Sequence, residues 1–160
     1  MITTRIRLDK ISSSTRNAAL ASEVIVGDEI VAQEGYVLAV RLKHDKSNYN
    51  EVEDLAGRMV RLRAGDVLAG VLGTRRALRG YAGVVPGTIA VGDTIEVLNL
   101  GGILGRCTSA NPDIGQPFQA EVVMVIPEGT GAQQSIIPPA PEGKRLVIEN
   151  HLDPGRTEFV

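Results

Sequence analysis

Three segments of the sequence carry a glycine–aspartate pair directly before an apolar run, and this recurring pair constrains the fold most. They are VGDEIVAQEGYVLAV from Val26, AGDVLAGVLGTRRAL from Ala64 and VGDTIEVLNLGGILG from Val91. Glycine tolerates a positive φ, and an aspartate side chain can hydrogen-bond the backbone that follows it, so the pair predicts a tight turn before a strand. The unequal spacing of the three segments disfavours a repeat architecture and favours successive strand entries around one barrel.

Composition supports the same fold class. The 160 residues include 18 glycines and 8 prolines, which predict many chain reversals rather than long helices. Aromatic residues make up only 3% of the chain and tryptophan is absent, so the core must consist of Val, Ile, Leu and Ala. We therefore predict a mainly β protein, a small closed or partly open β-barrel with one short helix and extended terminal arms.

The apolar runs also suggest how the chain is organised. We predict an N-terminal strand or arm over residues 1–21, a barrel domain over residues 22–127 and a proline-rich C-terminal arm over residues 128–160. The run FQAEVVMVI, residues 118–126, is predicted to be a central strand that Pro127 ends. The SSST segment, residues 12–15, is expected to end the N-terminal strand.

The one short helix is predicted in the polar segment KHDKSNYNEVEDLAG, residues 43–57. Val52, Leu55 and Ala56 have helical spacing there, and Gly57 could cap the C-terminus. The segment would then be a long functional loop that carries one helical turn.

One stretch of the chain resembles a known family. In GVVPGTIAVGDTIEVLNLGGILGRCTS, residues 83–109, a glycine-bearing strand runs into a G-T-I-x-V-G-D-x-I-E-V segment formed by Gly87, Thr88, Ile89, Val91, Gly92, Asp93, Ile95, Glu96 and Val97. This segment resembles the translation-protein β-barrel superfamily, to which the second domain of elongation factor Tu belongs. The resemblance implies a barrel that docks nucleic acid or protein. It does not imply a GTPase, because the sequence lacks a G-x-x-x-x-G-K-[ST] phosphate-binding loop.

Charge and cysteine content exclude several classes of protein. The net charge is −2, so no global field attracts nucleic acid or an anionic membrane. Cys107 is the only cysteine, which excludes an internal disulfide and a cysteine-based zinc site. No apolar run is long enough to span a bilayer or to form a signal peptide. We expect a cytoplasmic protein without a cofactor or a bound metal.

Arginine density marks the first candidate site. Six arginines lie between Arg58 and Arg79, with Asp66 the one acid among them. The loop GTRRALRGYAG, residues 73–83, places three of them between glycines that let backbone amides approach an anion. The predicted anion- or partner-binding residues are Arg75, Arg76, Arg79, Arg61 and Arg63. The alternative is that these arginines are solvated, or paired with Glu51, Glu53 and Asp54.

The second candidate is the polar segment that begins at His44. His44, Asp45 and Lys46 could serve acid and base roles in a small enzyme, with the arginines as an anion clamp. The spacing of the acidic residues matches no calcium loop or zinc helix. Cys107 is predicted to be a buried strand residue, although the neighbouring Arg106 could lower a thiol pKa.

The function predicted first is a non-enzymatic binding or assembly module that acts through the arginine loop and the extended termini. Its partner would be a second copy in a homo-oligomer, an acidic protein surface or an anionic small molecule. The alternatives are the small enzyme at His44 and a nucleic-acid-binding barrel, which the negative charge and scarce aromatics disfavour. Convergence of the His44 and Arg75 loops on one enclosed cavity would favour the enzyme.

Overall fold

The structure is a computed structural model, and it describes residues 3–76 and 80–126. Arg79, Pro127 and the predicted C-terminal arm, residues 128–160, lie outside the described residues. Within them the chain is mainly β, which confirms the predicted fold class. The strands are β1 Thr3–Arg7, β2 Lys10–Ile11, β3 Glu23–Gly27, β4 Val37–Leu42, β5 Glu51–Glu53, β6 Met59–Arg61, β7 Val67–Leu72, β8 Tyr81–Val84, β9 Thr94–Val97, β10 Ile103–Ala110 and β11 Gln119–Ile126.

Five of these strands close into a ring. The strand β11 pairs with β4, β4 with β7, β7 with β10, β10 with β9, and β9 again with β11. The β7–β10 pair is parallel and the others are antiparallel. The run predicted as a central strand is β11, which also pairs with β3. Ring closure leaves no open sheet edge among these five strands.

The remaining strands extend the ring. β1 pairs with β3 over five residues, from Thr3 opposite Gly27 to Arg7 opposite Glu23. β2 lies parallel to β7, β8 pairs with the second half of β10, and β5 and β6 form a separate hairpin. The N-terminal strand is therefore paired within the chain.

Apolar side chains pack on both faces of β4 and β7. Leu38 and Val40 point into the ring, where side chains from β7, β9, β10 and β11 join them. Val37 and Ala39 alternate with these two and pack outside the ring, against side chains from β3 and β7. Burial of both faces explains why these two strands read as continuous apolar runs in the sequence.

Two of the three predicted glycine–aspartate turns are confirmed. Gly65 and Gly92 have φ values of 89° and 94°. The carboxylates of Asp66 and Asp93 each accept a 2.9 Å hydrogen bond from a backbone N–H three residues earlier in the chain, rather than from the backbone that follows. Gly27 differs, because it is the last residue of β3 and pairs with Thr3.

The predicted helix in residues 43–57 is wrong. Val52 pairs with Val60 in the β5–β6 hairpin, and its side chain is buried in the ring core. Gly57, with a φ of 84°, lies in the turn of this hairpin. The described residues contain two short 3-10 helices instead, Ser13–Ala18 and Pro112–Ile114. Val52, Leu55 and Ala56 have the spacing of a helical turn, but burial of the β-branched Val52 side chain favours the strand.

Candidate functional site

The two segments that the sequence analysis selected meet at Tyr81, the first residue of β8, which is only 1% exposed. From the loop after β7, the Arg75 Nε donates a 3.1 Å hydrogen bond to the Tyr81 carbonyl. From the loop after β4, the Lys46 ammonium donates to the Tyr81 hydroxyl at 3.3 Å. The His44 and Arg75 loops therefore converge on one buried residue, Tyr81.

Lys46 is held by neutral oxygens. Its ammonium also donates to the carbonyls of Gln116 and Ile114, at 2.6 and 3.2 Å, and lies 5.8 and 5.9 Å from the ring centroids of Tyr81 and Phe118. Partial burial lowers the pKa of Lys46. Since none of these hydrogen-bond partners is a carboxylate, Lys46 adds positive potential to this region.

Tyr49 and Gly80 shape the other side of Tyr81. The Tyr49 ring meets the Tyr81 ring edge-on, with centroids 5.4 Å apart. A Cβ at residue 80 would lie 3.2 Å from the Tyr49 hydroxyl and 3.8 Å from Arg75 Nη2, so both groups flank Gly80. Tyr49 has a φ of 50°, an unfavourable value for a bulky residue and one that is concentrated at functional sites.

Arg75 is fixed at the edge of β8. Its backbone N–H and carbonyl exchange two 2.9 Å hydrogen bonds with Gly83, and Gly83 pairs on its other side with Cys107 of β10. Arg75, Gly83 and Cys107 thus form one row across three chain segments. Burial lowers the pKa of Arg75, and the Tyr49 phenol opposes this effect. A lowered arginine pKa still leaves the guanidinium cationic at neutral pH.

Arg106 alternates with Cys107 along β10, which places it on the opposite face from that row. Arg76 directly follows the bridge residue Arg75, and we infer that its exposed side chain points to the same face as Arg106. Both side chains are exposed, and no residue in the described ranges bonds or ion-pairs with either guanidinium. Two strand spacings and two residue rows separate them, which corresponds to about 12 Å between their Cα atoms. We name this outer surface, with Arg76 and Arg106 on either side of β8, the arginine face.

The other predicted arginines are placed elsewhere. Arg61 and Arg63 precede β7 whereas Arg75 and Arg76 follow it, and this six-residue buried strand spans about 17 Å. Arg61 lies opposite Glu51 in the hairpin, and Arg58 forms a 3.5 Å ion pair with Asp54. The basic stretch in the sequence is therefore split between the two ends of β7, and Arg58 and Arg61 lie near acidic residues in the first part.

The three residues proposed for acid–base chemistry hold the loop in place. The His44 Nε2 accepts a 3.0 Å hydrogen bond from the Gln119 N–H, and the Nδ1 lies 3.0 Å from the Asp45 carbonyl. This pattern assigns the ring proton to Nδ1. The Asp45 carboxylate accepts a 2.8 Å hydrogen bond from the Ala64 N–H. His44, Asp45 and Lys46 each contact a different partner, and these contacts tie the loop to β11, to the turn before β7 and to Tyr81.

Cys107 lies on β10 and is half-buried. Burial raises the pKa of its thiol, and the nearby Glu96 carboxylate raises it further, while a contact with the Ser109 carbonyl acts in the opposite direction. Arg106 points away from the thiol, so it does not activate it. The geometry agrees with a strand residue that packs against the core rather than with a nucleophile.

Sequence reasoning missed two features. The SSST segment is fully buried: Ser13 donates a 2.8 Å hydrogen bond to Glu53, and the hydroxyls of Ser12 and Ser14 lie 2.9 Å apart. Serine and threonine are common in exposed turns, and no local sequence signal distinguishes such a turn from a buried segment like this one. Arg106 was noted only as a neighbour of Cys107, although strand alternation places it outward.

Comparisons of the chain with protein-family models, with curated proteins and with solved structures find no match. The resemblance to the translation-protein barrels stays a prediction. In residues 3–76 and 80–126, no group of three or more His, Cys, Asp or Glu residues could hold a metal ion. Over the same part of the chain, no helix has both the length and the apolar character needed to cross a membrane.

Proposed function

We propose that this protein is a non-enzymatic β-barrel module that binds an anionic surface of a partner through the arginine face. The observation that supports this most is the placement of Arg76 and Arg106 on the same outer surface. Both are exposed on the arginine face, one at each edge of β8, and neither has a carboxylate partner among the described residues. By contrast, Arg7, Arg41 and Arg61 each lie directly opposite a glutamate on the neighbouring strand.

Preorganisation adds to this argument. Arg76 directly follows Arg75, whose backbone is paired with Gly83, so less chain entropy is lost at this position when Arg76 binds a partner. The half-buried cations Lys46 and Arg75 lie behind the face and raise its positive potential. Guanidinium groups bind carboxylates through two parallel hydrogen bonds, which makes a carboxylate-bearing surface the best-matched partner.

Binding of a fluorescein-labelled oligoglutamate peptide, followed by fluorescence anisotropy at low salt, tests the proposal. Arg76→Glu should weaken binding about tenfold or more, because it turns an attraction into a repulsion. Arg63→Glu is the matched control, since it makes the same charge change before β7, and it should bind like the wild type. Equal affinities for all three proteins would overturn the proposal.

A further inference from the structure

The strand β1 lies at the edge of the sheet, where it is paired with β3 on one side only. The Leu8 N–H donates to the Ser22 carbonyl at 2.7 Å, and this bond continues the β1–β3 register by one residue. Backbone groups in an antiparallel pair point alternately toward the partner strand and away from it. The even-numbered residues of β1 therefore bond to β3, and the N–H and carbonyl groups of Arg5 and Arg7 point away from it.

A contact just beyond β1 supports this direction. The N–H of Asp9, the next odd-numbered residue, donates to the Val67 carbonyl of β7 at 2.8 Å. The same edge is open at Arg5 and Arg7, whose backbone groups have no hydrogen-bond partner in residues 3–76 and 80–126. Unpaired backbone groups along a strand edge form a template to which another strand can be added.

The side chains of β1 give this edge a charged face and an apolar face. Arg5 is exposed, lies opposite Ile25 on β3, and has no ion-pair partner in the described part of the chain. Arg7 is exposed on the same face, opposite Glu23. Ile6 alternates with these arginines and packs against the buried side chains outside the ring. An added strand is therefore most favourable with an acidic residue opposite Arg5 and an apolar residue opposite Ile6.

We propose that the β1 edge binds an extended segment of a partner protein in which acidic and apolar residues alternate. The segment adds to the sheet as an antiparallel strand, and its backbone exchanges hydrogen bonds with Arg5 and Arg7. Charge favours this occupant over a second copy of the chain. Two fully overlapping antiparallel β1 strands would place Arg5 opposite the same residue of the other copy, and like charges directly opposite are destabilising. The inference goes beyond the proposed function, since β1 contributes no residue to the arginine face.

Binding of a fluorescein-labelled peptide of alternating valine and glutamate, followed by fluorescence anisotropy, tests this proposal. With glutamates opposite Arg5 and Arg7, the glutamate N–H groups face β1 and the valine N–H groups face away. A peptide N-methylated at its glutamates should therefore bind at least about tenfold more weakly than the unmodified peptide. The matched peptide, N-methylated at its valines, should bind like the unmodified one. Equal affinities of the two methylated peptides would overturn the proposal, because charge alone would then explain binding.

Variants of the protein separate this surface from the arginine face. Arg5→Glu should weaken binding of the alternating peptide about tenfold or more, because it repels the glutamate opposite it. Arg63→Glu makes the same charge change at an exposed position elsewhere and should bind like the wild type. Weaker binding in Arg76→Glu but not in Arg5→Glu would place the peptide on the arginine face. That result would overturn the β1 edge as its site and would support the proposed function.

Amide hydrogen exchange locates the contact on the unmodified protein. In the free protein, the amides of Arg5 and Arg7 should exchange faster than that of Ile6, which bonds to β3. Saturating peptide should slow exchange at Arg5 and Arg7 by at least about tenfold, because both amides become hydrogen-bonded. Slow exchange there in the free protein would mean that a second copy or another part of the chain already covers the edge. That result, or exchange unchanged by the peptide, would overturn the proposal.

Discussion

Arg75 and Gly83 exchange two backbone hydrogen bonds of 2.9 Å, and this pair sets the direction of the arginine loop. Arg75 thus pairs with Gly83 from one edge of β8, and Cys107 of β10 pairs with the same glycine from the other edge. Since neighbouring residues alternate in direction, the side chain of Arg75 turns toward Tyr49 and that of Arg76 turns outward. One arginine is thereby half-buried and structural, and the next is available to a partner.

Two glycines with the same backbone conformation but different surroundings give a first prediction. Gly92 and Gly102 have φ values of 94° and 90°, but a Cβ at Gly92 meets open space whereas a Cβ at Gly102 would overlap the Ser12 side chain. Gly92→Ala should lower the free energy of unfolding by about 1 kcal/mol, from backbone strain alone. Gly102→Ala should cost about 1–3 kcal/mol more, because the core must also shift. Urea unfolding of both variants measures the difference, and equal losses would contradict the described packing around Ser12.

Ser13 gives a second prediction, because its buried hydroxyl bonds to Glu53 at 2.8 Å and ties the β5–β6 hairpin to the barrel. Ser13→Ala should lower the free energy of unfolding by about 1–2 kcal/mol, since a buried hydrogen bond to a charged group is lost. Ser47→Ala, at an exposed position, serves as the control and should have little effect. Matching denaturation curves for the two variants would mean that the SSST segment is solvated.

Tyr81 controls stability at alkaline pH. Burial first, and then the nearby Tyr49 and Cys107, raise its pKa to about 12 from an ordinary value of 10.0. The neutral phenol is therefore favoured in the folded state, and this contribution is complete below pH 10.0 and is lost as the pH rises toward about 12. The urea midpoint of the wild type should fall across this interval more steeply than that of Tyr81→Phe. Parallel curves for the two proteins would contradict the prediction.

Cys107 should react slowly with thiol reagents. Its raised pKa and its partial burial both reduce the fraction of accessible thiolate at neutral pH. Labelling of the native protein at pH 8 should be at least about tenfold slower than labelling of the urea-unfolded protein, which exposes an ordinary thiol. A native rate equal to the unfolded rate would show that Arg106 or another cation activates this sulfur.

The sequence predicted the parts of the fold that local chemistry determines. Gly65 and Gly92 were identified as turn residues from the glycine–aspartate pair before an apolar run, although the same pair at Gly27 and Asp28 follows a strand end without a positive φ. The hairpin around Val52 was mistaken for a helix, because its partner strand and the core that buries Val52 are distant in sequence. The outward direction of the Arg106 side chain could be predicted only once the register of its strand was known.

The candidate site could be predicted only in part from the sequence, for the same reason. Arg75 and Arg76 were selected from charge density, but that density also selected Arg61 and Arg63, which β7 separates from them. Tyr81, where the two loops meet, has no sequence signal, since its role depends on contacts from Lys46 and Arg75 that lie 35 and 6 residues away.

We propose the arginine face as the surface to which a carboxylate-bearing partner binds. Two-dimensional ¹H–¹⁵N spectra of the protein titrated with oligoglutamate test this location directly. The amide signals of Thr74, Arg76 and Arg106 should shift in a saturable way, and those of Arg61 and Arg63 should remain in place. Shifts confined to the residues before β7, or no saturable shift at all, would contradict the account.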